Sequence, residues 1–148
     1  LCAYQPLRDA RLAPESRLGG IKMNLAFCVG FGGLVGSILR YGIAVAVGSA
    51  GTAGFPSATI LVNIVGSFLM GAALAFGRSY FGEALFHFLV PGLLGGFTTY
   101  SAFAGESLSY LLNGKIGLAT ALISLTFLGG LSAAWLGFLA GKSLGATY

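Results

Sequence analysis

Charge is nearly missing from this sequence. Of its 148 residues 8% are Asp, Glu, Lys or Arg, against about 25% in soluble domains, which excludes an ordinary water-soluble globule. Acidic residues number 4, too few for an acidic cation-binding ring. Histidine occurs once, and cysteine twice, at Cys2 and Cys28. No CxxC pair, metal cluster or disulfide framework can be drawn from them. No nucleophile, base and orienting group stand together as an enzyme needs. The basic pI of 9.3 arises from few charges, and without a basic soluble domain no nucleic-acid surface is expected. The lone His87, between Phe86 and Phe88, reads as an interfacial residue rather than a ligand.

What fills the chain instead is apolar: 56% of residues are hydrophobic and 25 are glycine. Between Met23 and Gly77 the only charge is Arg40. Four apolar segments follow one another, Leu25 to Val47, Ser57 to Phe76, Ala84 to Leu112 and Ile116 to Leu139, and about 20 residues are enough to cross a hydrocarbon core. The hinges, Gly48 to Pro56, Gly77 to Glu83 and Asn113 to Lys115, hold no soluble domain. Expected is an all-α integral membrane protein with four transmembrane helices per subunit, one domain over residues 23–148.

Residues 1–22 differ. They carry Arg8, Asp9, Arg11, Glu15, Arg17 and Lys22 beside Pro6, Pro14 and Gly19-Gly20, without the apolar core of a secretory signal. They read as a disordered extension before a natural start at Met23. From Met23 onward the basic residues tie, Arg78 and Lys142 on one side against Lys115 and Arg40 on the other. The positive-inside rule then assigns no orientation, and insertion both ways is expected. Counting the extension breaks the tie.

The third segment is too long for one straight span and is interrupted by Gly95-Gly96-Phe97-Thr98-Thr99-Tyr100-Ser101. With Pro91, this stretch is expected to divide the helix at mid-membrane. Non-helical chain at that depth survives only where protein buries it or where it lines an ion or water site. The second segment adds Thr59, Asn63 and Ser67 on one helical face, either as glue between helices or as ligand donors. Tyr100 and Phe103, three residues apart, share a face beyond the break. They are either core packing or ring edges whose partial positive charge meets an anion. The fourth segment offers Thr120, Ser124, Thr126 and Ser132. Small residues at four-residue spacing, Gly32 and Gly36, Gly92 and Gly96, Thr126 and Gly130, Gly137 and Gly141, read as close helix packing. So small a bundle encloses little volume, which points to a two-fold dimer. A track of Asn, Ser, Thr and ring edges fed by Arg40 suits an anion, whereas carbonyls bared at the break suit a hard monovalent cation. Both fit together if the cation is structural.

Three blocks then stand out: Gly32-Gly33-Leu34-Val35-Gly36-Ser37-Ile38-Leu39-Arg40-Tyr41, Thr59-Ile60-Leu61-Val62-Asn63-Ile64-Val65-Gly66-Ser67-Phe68, and Gly95-Gly96-Phe97-Thr98-Thr99-Tyr100-Ser101-Ala102-Phe103. In this order they resemble the signature blocks of the Fluc (CrcB-type) fluoride channels, and the resemblance runs from Met23 to the C-terminus. It implies an antiparallel, dual-topology dimer in the cytoplasmic (inner) membrane, with two fluoride pores and one structural sodium ion on the two-fold axis. By that resemblance the carbonyls of Gly95 and Thr98 hold the sodium. Asn63 is the pore asparagine, Arg40 the vestibule arginine and Phe103 the second of two pore phenylalanines. Ser101 and Thr126 match hydroxyls of the polar track. Two positions depart from the family pattern: Tyr100 replaces the first phenylalanine, and Leu122 a frequent fourth-span tyrosine. Some members pair two non-identical subunits. The implied activity is passive fluoride export, the partner a second copy of the chain or a close relative. The rival reading is a small dual-topology, proton-coupled cation or drug exporter. It needs a membrane carboxylate, for which Glu106 is the one candidate within a span. A third reading is a non-conducting assembly subunit whose break is only a kink.

Overall fold

A computed structural model describes the backbone of residues 15–50 and 56–145 and the side chains of 23–48 and 56–145. Among these residues there is no strand. Helix α1 runs Glu15–Ala50, α2 Ser57–His87, a π-helical stretch Phe88–Leu94, α3 Gly95–Phe97, α4 Tyr100–Leu112 and α5 Ile116–Ser143. Among the described residues three stretches are long and apolar enough to cross a bilayer: Met23–Gly48, Ser57–Leu112 and Ile116–Ser143. Of the expected N-terminal extension, residues 15–22 are helical backbone continuous with α1, and residues 1–14 lie outside the described residues.

The distribution of side chains suits hydrocarbon rather than water as solvent. Phe27, Phe31, Tyr41, Phe127, Leu131 and Trp135 are exposed, while the buried set is mostly small: Ala73, Ala75, Ala119 and Ala133 with Val62, Val90, Leu94, Phe97 and Leu122. Lipid is as apolar as a leucine side chain, so burying bulk inside the protein gains little. Close van der Waals contact between helices is what holds them together.

The 56 residues of Ser57–Leu112 do not form one straight rod. Gly77 and Gly82 have φ of 67° and 73° with extended ψ, a conformation that glycine adopts without a Cβ clash. Residues from both sides of them pack into one cluster: Met70 and Ala73 from before, and Phe86, Leu89, Val90, Leu93 and Leu94 from after. The chain therefore doubles back at these glycines. Beyond the reversal, Pro91 lies inside the π-helical stretch. Its ring lacks an N–H and would collide with the carbonyl four residues back, and a widened turn relieves both problems. Pro91 thus loosens the helix without ending it. The interruption comes at Thr98 and Thr99, whose φ/ψ of −80°/157° and −145°/114° are extended.

Glycines set the two closest crossings. A Cβ on Gly32 or Gly36 would strike the backbone of the π-helical stretch at Phe88 and Leu93, and one on Gly92 would lie 3.1 Å from the Gly32 Cα. At the α2–α5 crossing, a Cβ on Gly71 would run into the Ala134 carbonyl and one on Gly137 into the Phe68 carbonyl. Gly137→Ala is therefore expected to force the helices apart and cost about 1–3 kcal/mol. Gly42→Ala, where nothing beyond the local helix backbone lies within 4 Å of the added carbon, should cost nothing. Thermal unfolding of both variants in detergent checks this, and equal midpoints would refute the contact.

Candidate functional site at the broken segment

The extended pair Thr98-Thr99 removes several backbone bonds, and in an apolar medium each lost bond must be replaced. Asn63, at the centre of the α2 polar stripe, replaces two. Its Nδ2 donates to the Thr99 carbonyl at 3.0 Å, and its Oδ1 accepts from the Thr99 N–H at 2.8 Å. Asn63 is 9% exposed, so both bonds lie away from solvent. The Thr99 hydroxyl caps α4 by accepting from the Ala102 N–H at 3.2 Å. The Thr98 hydroxyl turns back to the Leu94 carbonyl at 3.0 Å. From α1, Arg40 Nε donates to the Gly96 carbonyl at 3.1 Å.

These bonds leave a defined remainder. In an unbroken helix the Thr99 N–H would bond the Gly95 carbonyl and the Ala102 N–H the Thr98 carbonyl. Here the first is taken by Asn63 and the second by the Thr99 hydroxyl. The carbonyls of Gly95 and Thr98 thus lose their helical donors, as do those of Gly96, taken up by Arg40, and Phe97 between them, and Gly95 lies on the exposed face.

Two cavities flank the break. One, of about 460 Å³, is lined by Asn63, Ser67, Thr98, Thr99, Tyr100, Phe103 and Thr126 with Gly66, Gly130 and apolar residues of α5. The other, of about 280 Å³, is lined by Arg40, Thr59, Thr99, Glu106 and the apolar Ala44, Ala58, Val62 and Ala102. Thr99 borders both. Gly66 lets the break sit against α2, since a Cβ there would strike the Thr98 methyl. The rings of Tyr100 and Phe103 lie 5.6 Å apart between centroids at 55°, and Tyr100 is 80% exposed.

The residues singled out by sequence therefore divide. Asn63, Tyr100, Phe103 and Thr126 meet in the larger cavity, and Arg40 stands in the smaller one. Ser101 lines neither; its hydroxyl is 3.4 Å from that of Thr99. Leu122, at the position of the family's tyrosine, is fully buried core and contributes to neither cavity. Sequence reasoning placed Thr59 in the polar stripe and the second block, and Glu106 as the one membrane carboxylate the exporter reading could use. They pair with each other, the Thr59 hydroxyl donating to Glu106 Oε1 at 2.9 Å. Among the described residues two buried side-chain oxygens have no hydrogen-bond partner, Glu106 Oε2 and Thr126 Oγ1, and each belongs to a residue lining a cavity.

An all-helical multi-pass membrane protein with a polar, partly unwound segment between two cavities belongs chemically with proteins that handle ions in the bilayer. The family model described as CrcB-like protein, Camphor Resistance (CrcB), matches residues 27–138. A fluoride-specific ion channel FluC 1 of Listeria monocytogenes is 41% identical over 113 residues, covering 76% of this chain and 93% of the relative. A fluoride-specific ion channel FluC of Thermus thermophilus is 42% identical over 124 residues, covering 82% and 98%. One of Elusimicrobium minutum is 42% identical over 118 residues, covering 78% and 92%. The chain belongs to the CrcB-like family.

Asn63→Ala is expected to strip Thr99 of both bonds and lower stability by about 1–3 kcal/mol, the cost of leaving buried peptide groups unpaired. Thr126→Val removes a hydroxyl that has no partner and should leave the unfolding midpoint where it was. Detergent thermal melts of the two variants compare these outcomes. An unchanged Asn63→Ala midpoint would show that Thr99 finds other donors.

Proposed function

We propose that this chain is a fluoride-selective passive ion channel that exports fluoride from the cytoplasm across the inner membrane. The observation that carries the reading is the bidentate Asn63–Thr99 clamp, which holds an extended segment open beside the Tyr100 and Phe103 rings, in a family whose similar members are named fluoride-specific channels. A small anion is expensive to dehydrate, so a pore must meet it with aimed donors at each step. The amide of Asn63, the hydroxyls of Thr126 and Ser67 and the positive ring edges supply such donors. Arg40 raises the local anion concentration at the mouth. Selection against larger halides follows from fixed, close-set donors, and selection against cations from the lack of an acidic ring. Fluoride that enters as the neutral acid ionises in a more alkaline cytoplasm, and a negative-inside potential drives the anion out.

The reversal at Gly77 and Gly82 divides the long second stretch into two passes, giving four passes per subunit, the third broken at Thr98-Thr99. The active form is a dual-topology dimer. Its antiparallel partner, a second copy or a close relative, covers the exposed Tyr100 and completes the wall of the larger cavity. Counted from Met23, Arg78 and Lys142 balance Lys115 and Arg40, which agrees with insertion in both orientations. A structural sodium ion fits the centre of this dimer. Gly95 and Thr98 present carbonyls without helical donors, neutral oxygens of the kind a hard monovalent cation takes, and a two-fold axis doubles the pair to four. When bound, the ion supplies charge that fixes the two breaks relative to each other.

The test is reconstitution into liposomes loaded with potassium fluoride, with efflux followed by a fluoride electrode after valinomycin and chloride as control. Rapid fluoride efflux without chloride efflux is expected. In Phe103→Ile, which keeps bulk but removes the ring edge, efflux should fall to the protein-free baseline while the size-exclusion profile of the dimer is unchanged. Silence of well-folded wild-type protein, or wild-type flux in Phe103→Ile, would sink the assignment.

A further inference from the structure

Arg40 holds the break as well as facing a cavity. Its Nε reaches the Gly96 carbonyl, whose helical donor would be the N–H of Tyr100, beyond the extended pair. The same residue is gripped from a second side: Gly96 packs so closely on α1 that a Cβ would lie 2.9 Å from the Gly33 Cα. Gly33 and Arg40 are two helical turns apart, so α1 takes hold of Gly96 by its Cα and by its carbonyl oxygen. Gly95, the preceding residue, has no such hold and lies on the exposed face. The Gly96 Cα joins its own peptide plane to the plane that carries the Gly95 carbonyl, so holding that Cα and the Gly96 oxygen limits how far the Gly95 carbonyl can turn; Thr98 follows two residues on, before a residue that Asn63 holds.

We propose that Arg40 is a positioning residue for the cation site: its Nε–H bond to Gly96 sets the orientation of the Gly95 and Thr98 carbonyls, independently of the guanidinium's charge in the vestibule. This rests on the sodium reading above. It gives one side chain two separable parts. The Nε–H belongs to the backbone of the break, while the Nη groups remain for the cavity shared with Thr59 and Glu106.

Two substitutions separate the parts. Arg40→Lys keeps the charge but puts a methylene at the depth of Nε. Arg40→Gln removes the charge but can put an amide N–H at that same depth. The readout is the dimer's thermal unfolding midpoint in detergent, titrated with sodium against N-methylglucamine at constant ionic strength. It needs no transport activity.

The expected result is a saturable rise in the wild-type midpoint with sodium. Half-saturation should be raised about tenfold in Arg40→Lys, the range expected for losing one charge-assisted hydrogen bond, and lie within about twofold of wild type in Arg40→Gln. Wild-type sodium dependence with Arg40→Lys unshifted overturns the role of Arg40 while leaving the sodium reading standing. So does an equal shift in both variants, which would make charge the active property. A wild-type midpoint indifferent to sodium overturns the sodium reading and this proposal with it. Should Arg40→Lys fail to melt cooperatively at saturating sodium, Arg40→Met, which also lacks the N–H, takes its place and must raise half-saturation by about tenfold.

Discussion

Water is the usual remedy for an unpaired peptide group, and a bilayer core offers none. That constraint governs this molecule. Once Thr98 and Thr99 are extended, the carbonyls from Gly95 to Thr98 and the N–H groups from Thr99 to Ala102 lose their regular partners, and the protein must supply substitutes. It does so with Asn63 from α2 and Arg40 from α1, aided by the Thr99 hydroxyl. The substitutes determine what is left over. Carbonyls without helical donors, an amide and two aromatic edges are gathered beside the break, and the chemistry proposed for the site is the chemistry of those leftovers.

Much of this was legible in the sequence, for identifiable reasons. The lack of charge between Met23 and Gly77 defines apolar runs without any tertiary information. Paired glycines followed by hydroxyl residues mark a place where a helix is poorly supported, and the extended residues fall inside that block at Thr98 and Thr99. The Thr59, Asn63, Ser67 stripe follows from helical spacing alone. The stripe runs past the break, with Thr59 lining the smaller cavity, Ser67 the larger and Asn63 bonded to the segment between them.

What was not legible depends on pairings distant in sequence. Thr59 and Glu106 are 47 residues apart, and Arg40 and Gly96 are 56 apart. No local pattern announces either bond, and Glu106 on its own gave no sign that a threonine hydroxyl would meet it. Pro91 misled in the other direction. A proline in an apolar run reads as a divider, yet a single widened turn accommodates it. The sharper discontinuities are the glycine reversal at Gly77 and Gly82 and the extended threonines. Ser101, attractive by its place in the motif, points to neither cavity in the protomer.

The crossings of α1 with the π-helical stretch and of α2 with α5 bring peptide backbone to within a methyl group of peptide backbone. Atoms that every amino acid possesses therefore act as the spacers, and the gauge of the bundle is set by a handful of positions that have no side chain. Exposed residues that line neither cavity, such as Phe27 and Trp135, can then drift among apolar types without altering the separation of the helices. A protein held together this way can keep its ion path in register while most of its residues turn over. Relatives at about two-fifths identity that align over nearly their whole length are what that freedom looks like.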